Sequence, residues 1–81
     1  MRNYQSEIYS AVIKKGCWAG SNTLVTTRTD GNETKVFFYG NLIAVVNHKK
    51  KTAKYDNCGF NNACTSARIN AVKKAVEYLG Y

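Results

Sequence analysis

The segment Thr34-Lys35-Val36-Phe37-Phe38-Tyr39-Gly40-Asn41-Leu42-Ile43-Ala44-Val45-Val46-Asn47 decides the fold. Two runs rich in β-branched and aromatic residues flank a Gly-Asn pair, the composition of strands joined by a tight turn. Thr34 to Tyr39 reads as one strand, with Val36 and Phe38 on one face and Phe37 and Tyr39 on the other. Gly40-Asn41 reads as the two-residue turn, and Leu42 to Asn47 returns as the next strand. Upstream, Thr23 to Thr29 is a Thr/Val-rich strand. It ends at Thr29-Asp30-Gly31-Asn32, where Asp-Gly readily takes the backbone angles of a tight hairpin. Downstream, His48 to Thr52 is a basic turn and Ala53 to Cys58 a short fourth strand. Turns this short make an antiparallel meander the simplest topology.

Helices flank the strands. Tyr4, Ile8, Ala11, Val12 and Lys15 recur at helical spacing, although the run Ile8, Tyr9, Val12 and Ile13 also suits a strand. Lys14 and Lys15 match the negative end of a helix, and Gly16 is the expected left-handed cap. Cys17 to Asn22 reads as a loop. From Thr65 to Leu79, Ile69, Val72, Val76 and Leu79 form one stripe, Ala71 and Ala75 permit close packing, and Lys73 and Lys74 lie off it. Thr65 is the expected N-cap, Gly80 ends the helix, and Tyr81 packs back. The expected architecture is α+β: a four-stranded antiparallel β-meander packed against a C-terminal helix and an N-terminal helix. It forms a single small domain over residues 1–81.

Composition narrows the function classes. A chain of 81 residues buries only about 60% of the surface its unfolded form exposes, so partner binding or self-association adds useful burial. With 44% hydrophobic residues and no proline, the chain is globular in composition. It has no apolar run long enough to span a membrane, and the N-terminus lacks a signal-peptide core, so a cytoplasmic location is expected. Cys17, Cys58 and Cys64 have an odd count and neither metal-finger nor CxxC spacing, so free thiols are expected. The one histidine, His48, stands beside three lysines that repel a cation, which argues against a metal site. Twelve Lys/Arg against five Asp/Glu give a net charge of +7. That charge steers anionic partners: nucleic acid, a membrane surface or an acidic protein face.

Cys58-Gly59-Phe60-Asn61-Asn62-Ala63-Cys64-Thr65-Ser66-Ala67-Arg68-Ile69-Asn70 leads from the last strand into the C-terminal helix. It resembles the Gly-Trp-x-Thr-x-Thr-Thr-x-x-Arg-[hydrophobic]-Asn run of a family of small tailed-bacteriophage proteins. Gly59, Phe60, Thr65, Arg68, Ile69 and Asn70 match in kind, while Asn62 and Cys64 stand where the family has threonine. The resemblance implies a phage origin and, with it, a role in host takeover or counter-defence. It carries no activity.

The candidate residues each have two readings. Arg68 and Asn70, near a helix start, either hold a phosphate or carboxylate or brace the strand-to-helix turn. Trp18, Phe37 and Tyr39 are either core or anchors for a partner. Lys49, Lys50 and Lys51, with Lys54, Lys73 and Lys74, either grip a phosphate backbone or form solvated surface. The lysine turn lacks the interleaved aromatics of a single-strand stacking platform. Catalysis finds little support. His48 has no acid/base partner, and pairing it with Cys58 or Cys64 leaves no third orienting group. No catalytic, metal-binding or cofactor-binding residue is assigned.

The expected function is therefore non-enzymatic. The leading expectation is a phage accessory protein that binds and inhibits a host DNA-handling or anti-phage defence protein, one that is DNA-associated or has an acidic surface. The alternative is sequence-nonspecific nucleic-acid binding. A minor virion component is a third reading, and a homodimer is expected as a way to cover outward aromatics.

Overall fold

The computed structural model describes residues 3–20, 22–56 and 63–81. Helix α1 (Asn3–Lys14) is followed by strands β1 (Trp18–Gly20), β2 (Thr23–Thr27), β3 (Glu33–Phe38), β4 (Asn41–Asn47) and β5 (Thr52–Tyr55), then helix α2 (Ala63–Leu79). The strands form one antiparallel sheet in strictly sequential order, with both helices on one face. The α+β meander is therefore present, with five strands in place of the expected four.

The additional strand lies in the segment read as a loop. Trp18 pairs with Val25 and Gly20 with Thr23, so three residues suffice to add an edge. Gly20 leaves room for the neighbouring ring: a Cβ there would meet the Trp18 indole at 3.0 Å, and the indole would have to shift. Trp18 shares its face with buried Val25 and packs half-buried against the core.

Two helix ends explain how the layers join. Lys15 takes the left-handed conformation (φ 54°), one residue before the expected Gly16. The Gly16 amide then donates to the Ala11 carbonyl at 2.9 Å and the Lys15 amide to Val12 at 3.2 Å, the paired bonds of a Schellman cap. The end of α2 repeats this around Gly80 (φ 80°), with Tyr81 donating to the Val76 carbonyl at 3.2 Å. That turn swings Tyr81 back onto the core. At its other end α2 starts at Ala63, so Thr65 is a buried residue inside the first turn and not the N-cap.

The core lies between the helices and the inner sheet face. Ile8, Val12 and Val72 from the helices meet Val25, Val36, Phe38 and Val46 from the strands. Burying each such side chain contributes roughly 1.5–3 kcal/mol. In β4 the alternation breaks. Val36 pairs with Ala44 and Phe37 with Leu42, leaving Ile43 as an extra bulged residue, and both Ile43 and Ala44 are buried.

The β3–β4 turn is Tyr39-Gly40, one residue earlier than expected, with Phe38 paired to Asn41. Both turn residues have positive φ (50° and 78°), the type I′ geometry that matches strand twist. For a tyrosine this conformation costs roughly 1–2 kcal/mol. Neighbours hold it in place. The Tyr39 amide donates to the Asn22 carbonyl at 2.9 Å, and Asn22 Nδ2 donates to the Tyr39 hydroxyl at 3.1 Å.

Candidate functional site

Arg68 projects from α2 into the interior, where it is 5% exposed. Its Nε donates to Thr23 Oγ1 at 2.6 Å. Its guanidinium carbon lies 4.1 Å from the Phe38 ring centroid and 4.4 Å from that of Tyr4. One side chain thereby ties α2 to α1, β2 and β3, a placement that favours bracing over partner contact. Asn70, two residues on, is exposed, so the helix separates the two candidates. The turn residues Cys58 to Asn62, and the Cys64 side chain, lie outside the described residues.

The basic residues divide between two surfaces. Lys49, Lys50 and Lys51 are exposed in the β4–β5 turn, where the Lys50 amide donates to Asn47 Oδ1 at 2.9 Å. Lys54 is exposed on the outer sheet face, paired across from Val45. Lys73 and Lys74 are exposed on α2, in the helical layer, with Lys73 Nζ 5.3 Å from the Tyr55 ring centroid. Burial pushes the Tyr55 phenol upward, and the Glu77 carboxylate adds to it. The sheet stands between Lys54 and the helical pair, so no single surface gathers all six.

His48 is the largest departure from a solvated basic turn: it is 7% exposed. A chain of hydrogen bonds runs through it, and each direction can be assigned. Thr27 Oγ1 donates to the Gly16 carbonyl at 2.7 Å, which commits its one proton. The 2.9 Å contact between Thr27 and Thr34 then needs Thr34 to donate. The Thr34 proton is now used, so the 2.7 Å contact with His48 Nε2 needs the ring to donate. The Tyr81 hydroxyl, 2.7 Å from Nδ1, donates to the remaining lone pair of a neutral ring. Burial first, then the nearby Lys15 charge, lowers the His48 pKa from its ordinary value, consistent with this tautomer. The sequence held one usable signal. His48 stands two residues after Val46, on the same strand face.

Neither described helix lies on the outer sheet face. Ala19, Leu24, Phe37 and Leu42 line up across four strands through successive pairings. Leu24 is 44% exposed and Leu42 36%, with Phe37 half-buried between them. Gly20, Asn22, Thr23, Leu24, Phe37 and Gly40 border an open depression of about 420 Å³ at this end. Tyr39, 62% exposed, stands at the adjoining turn. Further along the same face, Glu33, Val45, Asn47, Lys50, Thr52 and Lys54 border a second depression of about 240 Å³. Lys35 shares a row with Val45 and Lys54 and meets Glu33 at 3.5 Å. Phe37 and Tyr39 among the expected anchors are thus on or beside this face, while Trp18 is on the opposite one. Leu24 and Leu42 escaped sequence reasoning, because only strand register places them beside Phe37, whereas alternation along β3 already puts Lys35 on that face.

Among the described residues no cluster of His, Cys, Asp and Glu is arranged to hold a metal ion. No described helix is long and apolar enough to cross a membrane. Residues 1–80 match the family described as Kyanoviridae Gp96 protein, and the chain belongs to this bacteriophage protein family. No curated protein and no solved structure matches it.

Proposed function

We propose that this phage protein acts by binding, with the uncovered sheet face as its contact surface and a host protein as its partner. The observation that carries the reading is the row Leu24, Phe37 and Leu42, which none of the described helices or strands covers. Aromatic and aliphatic groups gathered at the centre of a patch are the usual energetic anchors of an interface. The surrounding lysines and the +7 charge select a partner with an acidic surface. A host DNA-handling or anti-phage defence protein in the cytoplasm of the infected cell fits that description, inhibited by occupation of the surface it needs. The interior offers no support for chemistry instead, since His48 has both ring nitrogens engaged in a structural chain.

Affinity capture from infected host cells, with and without nuclease, tests this. The native protein should retain a partner after nuclease, and a Leu24→Ser, Leu42→Ser variant should lose it. Retention by the variant, or loss of everything on nuclease treatment, overturns the reading.

The exposed Lys49, Lys50 and Lys51 turn favours a second reading, sequence-nonspecific nucleic-acid binding. Against it stands the composition of the outer row, where leucines flank Phe37 in place of the successive aromatics on which bases stack.

A further inference from the structure

The outer face has two depressions of different character, and their spacing defines a ligand. The first is bordered by Leu24 and Phe37 and has no charged residue among the described residues that line it. The second is bordered by Lys50 and Lys54, with Glu33 as the only carboxylate among the described residues. Glu33 is already met by Lys35 at 3.5 Å, which leaves Lys50 and Lys54 facing the depression. Phe37, Lys35 and Glu33 are alternate residues of β3, so Phe37 at the border of the first depression and Glu33 at the border of the second stand two such steps apart. Each step is about 6.8 Å, placing these two border residues roughly 13 Å apart along the strand. An extended chain covers that distance in about three or four residues.

We infer that this face takes an extended acidic segment of the partner. Its apolar side chain seats against Leu24 and Phe37, and carboxylates three or four positions along reach Lys50 and Lys54. The inference rests on the reading above that this face is the contact surface. Charge complementarity selects the occupant. A second copy stacked on the face would oppose Lys35, Lys50 and Lys54 to their equivalents or to the leucine row. A nucleic acid would supply the anions yet leave the uncharged depression without an aliphatic filling.

The test is an NMR titration of the full chain with the peptide Gly-Ser-Leu-Ser-Ser-Asp-Glu-Gly, where the leucine and the acidic pair have the required spacing. Amide shifts are expected at Gly20, Leu24, Phe37 and Gly40 together with Lys50 and Lys54. Replacing the peptide leucine by serine, or the acidic pair by two lysines, should weaken binding by about ten-fold or more. A Lys50→Glu, Lys54→Glu variant should prefer the lysine peptide, which a merely folded-state effect would not produce. Four results overturn the inference: no shifts at millimolar peptide, equal response to both peptide charges, stronger response of these residues to a short oligo(dT), or ligand-free shifts that grow with protein concentration. The last two assign the face to nucleic acid and to a second copy. If the peptide fails while the Leu24→Ser, Leu42→Ser variant still loses its captured partner, the face is a contact surface and only the acidic segment is wrong.

Discussion

The Arg68 guanidinium lies over the Phe38 ring, 4.1 Å from its centroid, and joins the last helix to the middle strand. A buried arginine keeps its charge, so its hydrogen bonds and ring contacts replace the hydration it loses. Arg68→Ala removes both and leaves the Thr23 hydroxyl without the donor 2.6 Å away. We expect a loss of about 2–3 kcal/mol, or a midpoint lower by roughly 10–20 °C. Arg68→Lys should recover little, because an ammonium lacks the planar fork. Thermal and urea melts check this, and a change below ~0.5 kcal/mol, as for an ordinary surface site, would refute the brace.

Neutral His48 couples stability to pH. Its folded pKa is lowered from 6.5 by burial and then by Lys15, so the unfolded chain binds a proton that the folded chain resists. Stability is therefore full above pH 6.5 and falls as pH drops from there towards the folded value. His48→Gln should flatten that slope. Tyr81→Phe removes the donor to Nδ1, disfavours the neutral ring and should raise the His48 pKa. Urea melts across the range, with imidazole NMR to read the Nε2-protonated tautomer, test the assignment; a folded pKa above 6.5 would reverse the sign.

Tyr39 holds a backbone angle that asparagine or glycine adopts more easily (φ 50°). Tyr39→Asn should raise stability by up to ~1 kcal/mol, less whatever the ring gains on Phe38, whose centroid is 4.5 Å away. Partner capture should weaken in the same variant if the exposed ring serves the outer face. A variant that is more stable and binds equally well would make the strained tyrosine a turn residue alone.

For nucleic acid, replacing Lys49, Lys50 and Lys51 by alanine should flatten the slope of log affinity against log salt by roughly 2–3 units. An unchanged slope removes the turn from any phosphate-binding surface. Absence of DNA binding at low salt eliminates the second reading.

Much of the meander was legible because its turns announce themselves. Asp30-Gly31 closes β2–β3, with Gly31 at φ 72°, where the sequence places it. The β3–β4 turn was misplaced by one residue because the sequence offers glycine and asparagine, yet tyrosine takes the first left-handed position. β1 was hidden by its length: three residues, the last a glycine, are too few for an alternating pattern to stand out. Thr65 looked like a cap, but helix starts are decided by the preceding turn as much as by the hydroxyl. His48 was judged by its lysine neighbours, when its alternation with Val46 governs its burial. The outer row could not be read at all from periodicity, since Leu24, Phe37 and Leu42 meet only through register, and the Ile43 bulge shifts that register.

The sequential strand order also sets the course of folding. Every strand pair is closed by a hairpin or short turn, so the sheet assembles through short loop closures alone. Helix α1 is different: it packs on α2, which comes last, and the bond from Gln5 Nε2 to the Ala67 carbonyl spans 62 residues. We therefore expect docking of the helix pair to complete after the meander is in place. Ile8→Val, in α1, should mainly accelerate unfolding, whereas Val36→Ala, in the central strand, should slow folding. Stopped-flow chevrons separate the two limbs, and a slowed folding limb for the helix variant would mean that the helices nucleate the fold. If the sheet forms first, the apolar outer row is in place before the core is sealed, and the proposed contact face would be open to a partner while the helices are still docking.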